Sequence, residues 1–171
     1  MPMATWTSKL GATYPLATIQ KKDKQAHATL QKLRRRPENA TCADCGSRGT
    51  VWAIVNHGTF VCLRCASVHR SLGTHVSKPK GCTGTYLWGD DELASMARGN
   101  AAANRALGGD AIEVPPDPSD AVLRAFLVDK YDRKKWAPRA PEPAPDLLSF
   151  DDDEPPPPPA ATPDFFGSYG L

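Results

Sequence analysis

The sequence predicts a small α+β domain, made of a short antiparallel sheet and several short helices, that is followed by a disordered tail. Two adjacent β-rich runs predict the sheet, and segments with apolar residues at helical spacing predict the helices. A proline-rich acidic stretch predicts the tail. The 171 residues allow one such domain with an appendage. We place a disordered leader at 1–20, the folded domain at 21–137 and the tail at 138–171.

The segment that precedes the first cysteine predicts one helix. Residues 1–20 contain no acidic residue and no apolar block like that of a secretory signal, and we interpret them as a disordered leader. A short basic helix is expected from about Lys24 to Arg36, because proline disfavours helical geometry in the residue before it and Pro37 follows. Its apolar positions are Ala26, Leu30 and Leu33.

The central region predicts a β-hairpin that leads into a helix. The runs "TVWAIV" and "TFVCL" are β-rich and are joined by the turn sequence "NHG". The second run continues into "ASVHRSL", which predicts a short helix that ends at Gly73 in the left-handed conformation.

Three further helices are expected after the central region. Asp90 is a good N-cap for "DDELASMARGN", and "NAAANRAL" follows it. The segment "DAVLRAFLVDKYDRKKW" is amphipathic and should end the compact structure near Trp136. Its apolar positions are Leu123, Leu127 and Tyr131 at a spacing of four, together with Val122 and Phe126.

Charge is distributed unevenly along the chain. Residues 138–171 contain ten prolines, one basic and seven acidic residues, so they carry a net charge of −6 and cannot form a packed core. The remaining residues carry a net charge of +8. A basic body predicts a partner of opposite charge, which could be nucleic acid, an anionic membrane surface or an acidic protein surface.

Several functional classes are disfavoured by the sequence. No run approaches the roughly 18 apolar residues that a membrane span needs, so we expect a cytoplasmic protein. Five cysteines in a chain without a secretory signal argue against a disulfide framework and favour metal binding or free thiols.

Four of the five cysteines have the spacing of a zinc site. Cys42 and Cys45 form one Cys-x2-Cys pair, and after sixteen intervening residues Cys62 and Cys65 form a second. Each short gap can direct two sulfurs to one point, and the intervening hairpin returns the chain to complete a tetrahedron around Zn2+. Because all four donors are cysteine, the metal should be structural. Cys82 lies outside this pattern and is interpreted as a buried or free thiol.

Spacing alone does not select a function, since GATA-like DNA-binding fingers use a similar arrangement. The segments "RPENATCADCGS", "VWAIVNHGTFVCLRCASVHRSLGTHVSK" and "GNAAANRAL" together resemble the ArfGAP domain, the zinc-finger module that activates ADP-ribosylation-factor (Arf) GTPases. The resemblance covers about residues 25–137. It implies a small sheet at the zinc site, surrounded by helices.

The resemblance also implies roles for individual residues. Arg70, five residues after Cys65, matches the family's arginine and would act as an arginine finger on a GTP-bound Arf partner, stabilising the charge that develops on the phosphate oxygens. The residues implied in contact with the GTPase are Trp52, Asn56, Leu72 and Lys78. The loop "PKGCTGTYLW" departs from the family pattern, since it is one residue longer and lacks an aspartate.

The tail contains two apolar islands that resemble docking motifs. The first, "LLSFD", fits a clathrin box with Leu147, Leu148, Phe150 and Asp151. The second, "DFFGSY", resembles peptides that bind adaptor ear domains, through Phe165, Phe166 and Tyr169. Clathrin, adaptors and an anionic membrane surface are therefore expected partners, with a peripheral location at Golgi or endosomal membranes.

Two alternatives remain beside GTPase activation in vesicle trafficking. The first is a catalytically silent scaffold that binds Arf, clathrin or adaptors. The second is a GATA-like nucleic-acid binder, which the segments around the cysteines disfavour, so no nucleic-acid partner is expected.

Overall fold

The computed structural model describes residues 4–116 and 118–138. The strands and helices are, in chain order, β1 Thr5–Thr7, β2 Thr13–Pro15, α1 Leu16–Arg34, β3 Trp52–Ile54, β4 Thr59–Val61, α2 Leu63–Arg70, β5 Pro79–Gly81, α3 Asp90–Met96, α4 Gly99–Ala106 and α5 Asp120–Leu127. Short 3-10 turns lie at Pro37–Asn39 and Gly109–Ala111, and a π-helical turn at Val128–Asp132 continues α5. Within the described residues, no helix combines the length and apolar character that crossing a membrane requires.

The central sheet has three antiparallel strands in the order β4-β3-β5. Trp52 pairs with Val61 in β4, which confirms the predicted hairpin. On the other side of β3, Ile54 pairs with Pro79 in β5. The sequence did not predict β5, because proline and glycine have low strand propensity and proline is tolerated only at the edge of a sheet.

The side chains on the two faces of β3 pack in two different hydrophobic clusters, because successive side chains along a strand point to opposite faces. Ile54 packs in a cluster with residues of α2 and α5, including Leu123 and Leu127. Ala53, on the opposite face, packs in a second cluster with residues of α1 and with Trp88. The sheet therefore separates the α2–α5 side of the domain from the α1–α3 side.

The predicted disordered leader is wrong for residues 4–20. Here β1 and β2 form an antiparallel hairpin in which Trp6 lies opposite Tyr14, with ring centroids 6.0 Å apart. The Tyr14 hydroxyl donates to Oδ1 of Asp91 over 2.8 Å, which ties the hairpin to α3. Such contacts across 77 residues cannot be seen in local composition, which is why the segment resembled a disordered leader.

Helix α1 begins eight residues earlier than predicted, at Leu16, and ends at Arg34. Its predicted apolar positions are confirmed, since Ala26, Leu30 and Leu33 are buried. Ile19, which the prediction assigned to the leader, continues the buried stripe of this helix towards its N-terminus.

The C-terminal helix confirms most of its predicted apolar face. The buried positions are Leu123, Phe126, Leu127 and Tyr131. Val122 is 48% exposed, so its predicted burial is wrong. Val122 lies in the first turn of the helix, where its backbone N–H donates to the capping Ser119 hydroxyl over 3.3 Å.

Two buried asparagines connect α4 to the sheet. The Asn100 side chain accepts from the Phe60 N–H over 2.6 Å and donates to the carbonyls of Phe60 and Thr41. Its own backbone N–H donates to Oδ1 of Asn39 over 2.8 Å, and Asn39 donates to the Leu33 carbonyl. These bonds connect α4 and the turn after α1 to β4, and the Asn100 amide oxygen is the acceptor for the Phe60 N–H.

We expect Asn100→Ala to lower the free energy of unfolding by about 1–3 kcal/mol, because it leaves the buried Phe60 N–H without an acceptor. Urea denaturation followed by tryptophan fluorescence, at constant metal concentration, measures the loss. Asn104→Ala is the matched control, since Asn104 donates once, to an Ala43 carbonyl that also accepts from Lys130. An equal loss in both variants would contradict the role given to Asn100.

Candidate functional site

The four predicted metal-binding cysteines converge in the structure. Their sulfur atoms all lie within 4.8 Å of one another, and those of Cys45 and Cys62 are 3.7 Å apart. Cys42, Cys62 and Cys65 are buried, whereas Cys45 is partly exposed. Within the part of the chain that the structure describes, this is the one group of three or more side chains arranged to hold a metal ion.

Each pair of cysteines is presented by a tight local structure. The first pair lies on a turn in which the Gly46 N–H donates to the Cys42 carbonyl over 3.0 Å, and Gly46 has a φ of 71°, which favours glycine. The second pair lies at the start of α2, where Cys62 is the N-cap and its sulfur accepts from the Cys65 N–H at 3.5 Å. Both turns are consistent with the Cys-x2-Cys spacing.

The protonation of the cluster favours a cation. A hydrogen bond with the Cys65 side chain lowers the pKa of Cys42 to about 6, and the same bond raises the pKa of Cys65. Burial raises the pKa of Cys62 to about 11. Without a metal, the cluster therefore favours a thiolate at Cys42 and protonated thiols at Cys62 and Cys65. A divalent cation would allow all four cysteines to bind as thiolates.

A buried acid between the first two cysteines connects the cluster to the C-terminal helix. Asp44 accepts from Lys130 Nζ over 2.8 Å and from the Tyr131 hydroxyl over 2.6 Å, and its other oxygen lies 3.0 Å from Nε2 of His69. Burial alone would raise the pKa of Asp44, but Lys130 and His69 outweigh it and lower that pKa. His69, which belongs to α2, supports the cluster through this carboxylate.

We expect Lys130→Met to lower the free energy of unfolding by about 3–5 kcal/mol, because it leaves a fully buried carboxylate without its ion pair. Chemical denaturation at constant metal concentration measures this loss. Lys135→Met removes the same charge from an exposed position 3.9 Å from Asp129 and should cost less than about 0.5 kcal/mol. A neutral Lys130→Met would contradict the importance of the ion pair.

Arg70 is the last residue of α2, which begins at the second pair of cysteines. Its side chain is exposed, and its guanidinium carbon lies 4.2 Å from the ring centroid of Trp52. Among residues 4–116 and 118–138, no carboxylate forms an ion pair with it. The guanidinium is therefore positioned at a defined surface and is available to an anionic partner.

A shallow surface cavity of about 270 Å³ lies beside Arg70, and we call it the Arg70 face. It is lined by Lys9, Trp52, Arg70, Gly73, Thr74, Ser77, Pro79 and Tyr86. Tyr86 meets the Trp52 ring edge-on with centroids 6.0 Å apart, so two aromatic side chains adjoin the arginine.

The other three residues predicted to contact a GTPase, Asn56, Lys78 and Leu72, differ in how far their side chains are exposed. Asn56 accepts from the Lys78 N–H and donates to the Val76 carbonyl, both over 2.9 Å, so it fixes the segment after α2 to the hairpin. Lys78 is partly exposed. Leu72 packs in the core and is 6% exposed, so its side chain does not reach a partner, and this prediction is corrected.

Tyr86 and Lys9 are among the residues of the Arg70 face that were not predicted from the sequence. Tyr86 belongs to the loop whose departure from the family pattern was noted, and that departure was the available signal. Lys9 belongs to the segment interpreted as disordered and gave no signal. Lys80, two residues after Lys78, is 3% exposed and pairs with Glu92 over 2.5 Å, so its charge is engaged inside the domain.

The predicted tail motifs lie outside the described residues. This applies to Leu147, Leu148, Phe150 and Asp151, and equally to Phe165, Phe166 and Tyr169. They remain predictions from the sequence.

The fold and the site define a class of protein: a small α+β domain built on four clustered cysteines, whose second pair carries a helix that ends in an exposed arginine. The chain belongs to the ArfGap family, described as GTPase activating protein for Arf, whose model matches residues 27–140. The resemblance stated from the sequence is thereby confirmed.

Similar proteins are known from plants and animals. The Arabidopsis thaliana protein named "Probable ADP-ribosylation factor GTPase-activating protein AGD15" is 36% identical over 132 residues, which cover 75% of this chain and 55% of that protein. The human "Stromal membrane-associated protein 1" is 36% identical over 119 residues, which cover 68% of this chain and 25% of that protein. The chain thus spans between a quarter and about half of these relatives.

The fold is also similar to that of a solved structure. The "ArfGap domain of HIV-1 Rev binding protein" superimposes with a TM-score of 0.62 at 23% identity, covering 72% of this chain and 95% of that one. This likeness confirms the predicted fold class, a small sheet beside a cysteine cluster with helices around it.

Proposed function

We propose that this protein accelerates GTP hydrolysis by an Arf-family GTPase and that Arg70 enters the partner's active site. The observation that carries the proposal is the exposed guanidinium at the end of α2, which has no carboxylate partner among the described residues. Family membership and relatives named as ADP-ribosylation factor GTPase-activating proteins support it.

GTP hydrolysis is accelerated by a positively charged group placed beside the γ-phosphate oxygens, where negative charge develops in the transition state. As the γ-phosphoryl group is transferred to water, a guanidinium can donate to its oxygens and stabilise the transition state. Arginine fingers accelerate hydrolysis by about 10³- to 10⁵-fold, equivalent to roughly 4–7 kcal/mol. The nucleotide and Mg2+ belong to the GTPase, and this sequence has no glycine-rich phosphate-binding loop of its own.

The contact with Trp52 orients the Arg70 side chain but is weak enough to be broken when a partner binds. A cation–π contact at an exposed site is worth about 0.5–1 kcal/mol, far less than the stabilisation a finger provides. The ring thus restricts the arginine to one side of α2 in the free protein, which lowers the entropy lost when the side chain is ordered on a partner. Release from Trp52 costs little when the nucleotide is reached.

The metal in the cysteine cluster is proposed to be structural Zn2+. Two thiolates about 2.3 Å from a tetrahedral ion stand roughly 3.8 Å apart. The 3.7 Å between the sulfurs of Cys45 and Cys62 fits that spacing. Four sulfur donors leave no open position for water, so the zinc would fix the turn at Cys42 to the start of α2.

We expect one equivalent of tightly bound zinc per chain, lost in Cys65→Ser together with most of the folded structure. Zinc binding contributes about 10–16 kcal/mol in small fingers, comparable to the whole stability of a domain. Elemental analysis and circular dichroism measure the two losses. Cys82→Ala, which removes a buried thiol outside the cluster, should keep the zinc. Full zinc content in Cys65→Ser would refute the assignment.

We expect Arg70→Lys to abolish most of the acceleration of GTP hydrolysis, because an ammonium cannot reproduce the planar guanidinium fork. Single-turnover hydrolysis by GTP-loaded Arf measures the effect. Arg64→Lys is the matched control on the same helix, since Arg64 bonds to Asp120 of α5 and not to the Arg70 face. Equal acceleration by Arg70→Lys and the unaltered protein would rule out the finger.

A catalytically silent scaffold is the alternative function. It would be indicated if the unaltered protein bound GTP-loaded Arf without accelerating hydrolysis. The availability of Arg70, which a scaffold does not need, favours activation.

The protein is proposed to act at the cytoplasmic face of Golgi or endosomal membranes. Exposed basic side chains of α1 and the turn after it support attraction to an anionic surface: Lys21, Lys24, Lys32, Arg35 and Arg36. Binding to clathrin and adaptors through the tail is proposed from the sequence motifs alone.

A further inference from the structure

The N-terminal hairpin precedes the family-matched residues 27–140 but is firmly attached to them. At its tip, buried Ser8 donates to Asp91 Oδ2 over 2.5 Å and accepts from the N–H groups of Gly11 and Ala12. The N–H of Lys9 donates to Glu92 Oε1 over 3.0 Å. The tip is therefore fixed against the first turn of α3.

This attachment directs the Lys9 side chain to the Arg70 face. Its Nζ donates to the Pro79 carbonyl over 2.5 Å, and the side chain lines the same cavity as Arg70. Burial lowers the pKa of Lys9, Glu92 opposes that effect, and the positive charge of Arg70 lowers the pKa further. The two cations are thus close enough to repel each other in the free protein.

Of the residues that the structure describes, no acidic one lines the Arg70 face to offset the two charges. The nearby carboxylate of Glu92 is already engaged, since one oxygen accepts from the Lys9 N–H and the other from Lys80. The Lys9 ammonium has three donors, and the Pro79 carbonyl occupies one of them. A protein with an acidic side chain at this position would relieve the repulsion.

We propose that Lys9 is an affinity-determining residue for the GTPase and binds an acidic side chain of Arf beside the nucleotide site that Arg70 enters. The inference rests on the proposed function and assigns a role to a segment that the family match does not cover. Because Lys9 is held at the rim by the Pro79 carbonyl, it acts on association and not on the chemical step. Rim charges change the association rate and its salt dependence more than they change chemistry.

The test measures hydrolysis by soluble GTP-loaded Arf, without vesicles, over a range of concentrations of the full chain. Lys9→Ala should raise the half-saturating concentration by about 3- to 10-fold at low salt, with the saturated rate within twofold of the unaltered protein. The difference should shrink as salt is increased. Lys9→Arg, which keeps the charge, should restore most of the affinity, and Lys135→Ala, at an exposed lysine that does not line the Arg70 face, is the matched control.

Three results would overturn the inference. One is an unchanged half-saturating concentration in Lys9→Ala, the second is a lower saturated rate with unchanged half-saturation, and the third is a Lys9→Arg variant as weak as Lys9→Ala. Thermal melting of each variant checks that the fold is intact. If the unaltered protein does not accelerate hydrolysis, the proposed function fails, and calorimetric titration with Arf bearing a non-hydrolysable GTP analogue then decides. Weaker binding by Lys9→Ala supports the inference, and equal or absent binding refutes it.

Discussion

The convergence of four sulfurs is the constraint on which the rest of the structure depends. Helix α2 has eight residues, too few to be stable alone in water, so its direction is set by what holds its first turn. Cys62 and Cys65 supply that turn, and the turn at Cys42 and Cys45 meets them from the other side. The position of Arg70, at the other end of α2, follows from this anchor.

The buried charges around Asp44 extend the anchor to the end of the domain. Lys130 and Tyr131 come from the C-terminal segment, yet both bond to a carboxylate that lies between the first two cysteines. Tyr131 also packs on the His69 ring, 5.0 Å away between centroids, and His69 belongs to α2. The surroundings of the cysteine cluster are therefore completed by the C-terminal segment, which links the stability of the site to that of the whole domain.

Local patterns predicted the parts of this structure that depend on neighbouring residues. The cysteine spacing, the hairpin of β3 and β4 and the apolar stripe of α1 were all evident in the sequence. The N-terminal hairpin, β5 and the burial of Leu72 were not, because each depends on residues far away in the chain. Ser8 and Asp91 are 83 positions apart, and nothing local to residues 1–20 indicates that such a partner exists.

Lys9 and Lys80 show how the same residue type takes two roles within one small region. Lys80 pairs with Glu92 and lies between the rings of Trp6 and Trp88, at 4.9 and 4.7 Å from their centroids, so its charge is satisfied within the protein. Because Trp6 belongs to the hairpin and Lys80 to β5, this contact couples the hairpin to the strand with which the altered loop begins. The N-terminal hairpin and the altered loop therefore lie together beside Arg70, where Lys9 of the hairpin and Tyr86 of the loop line the same face.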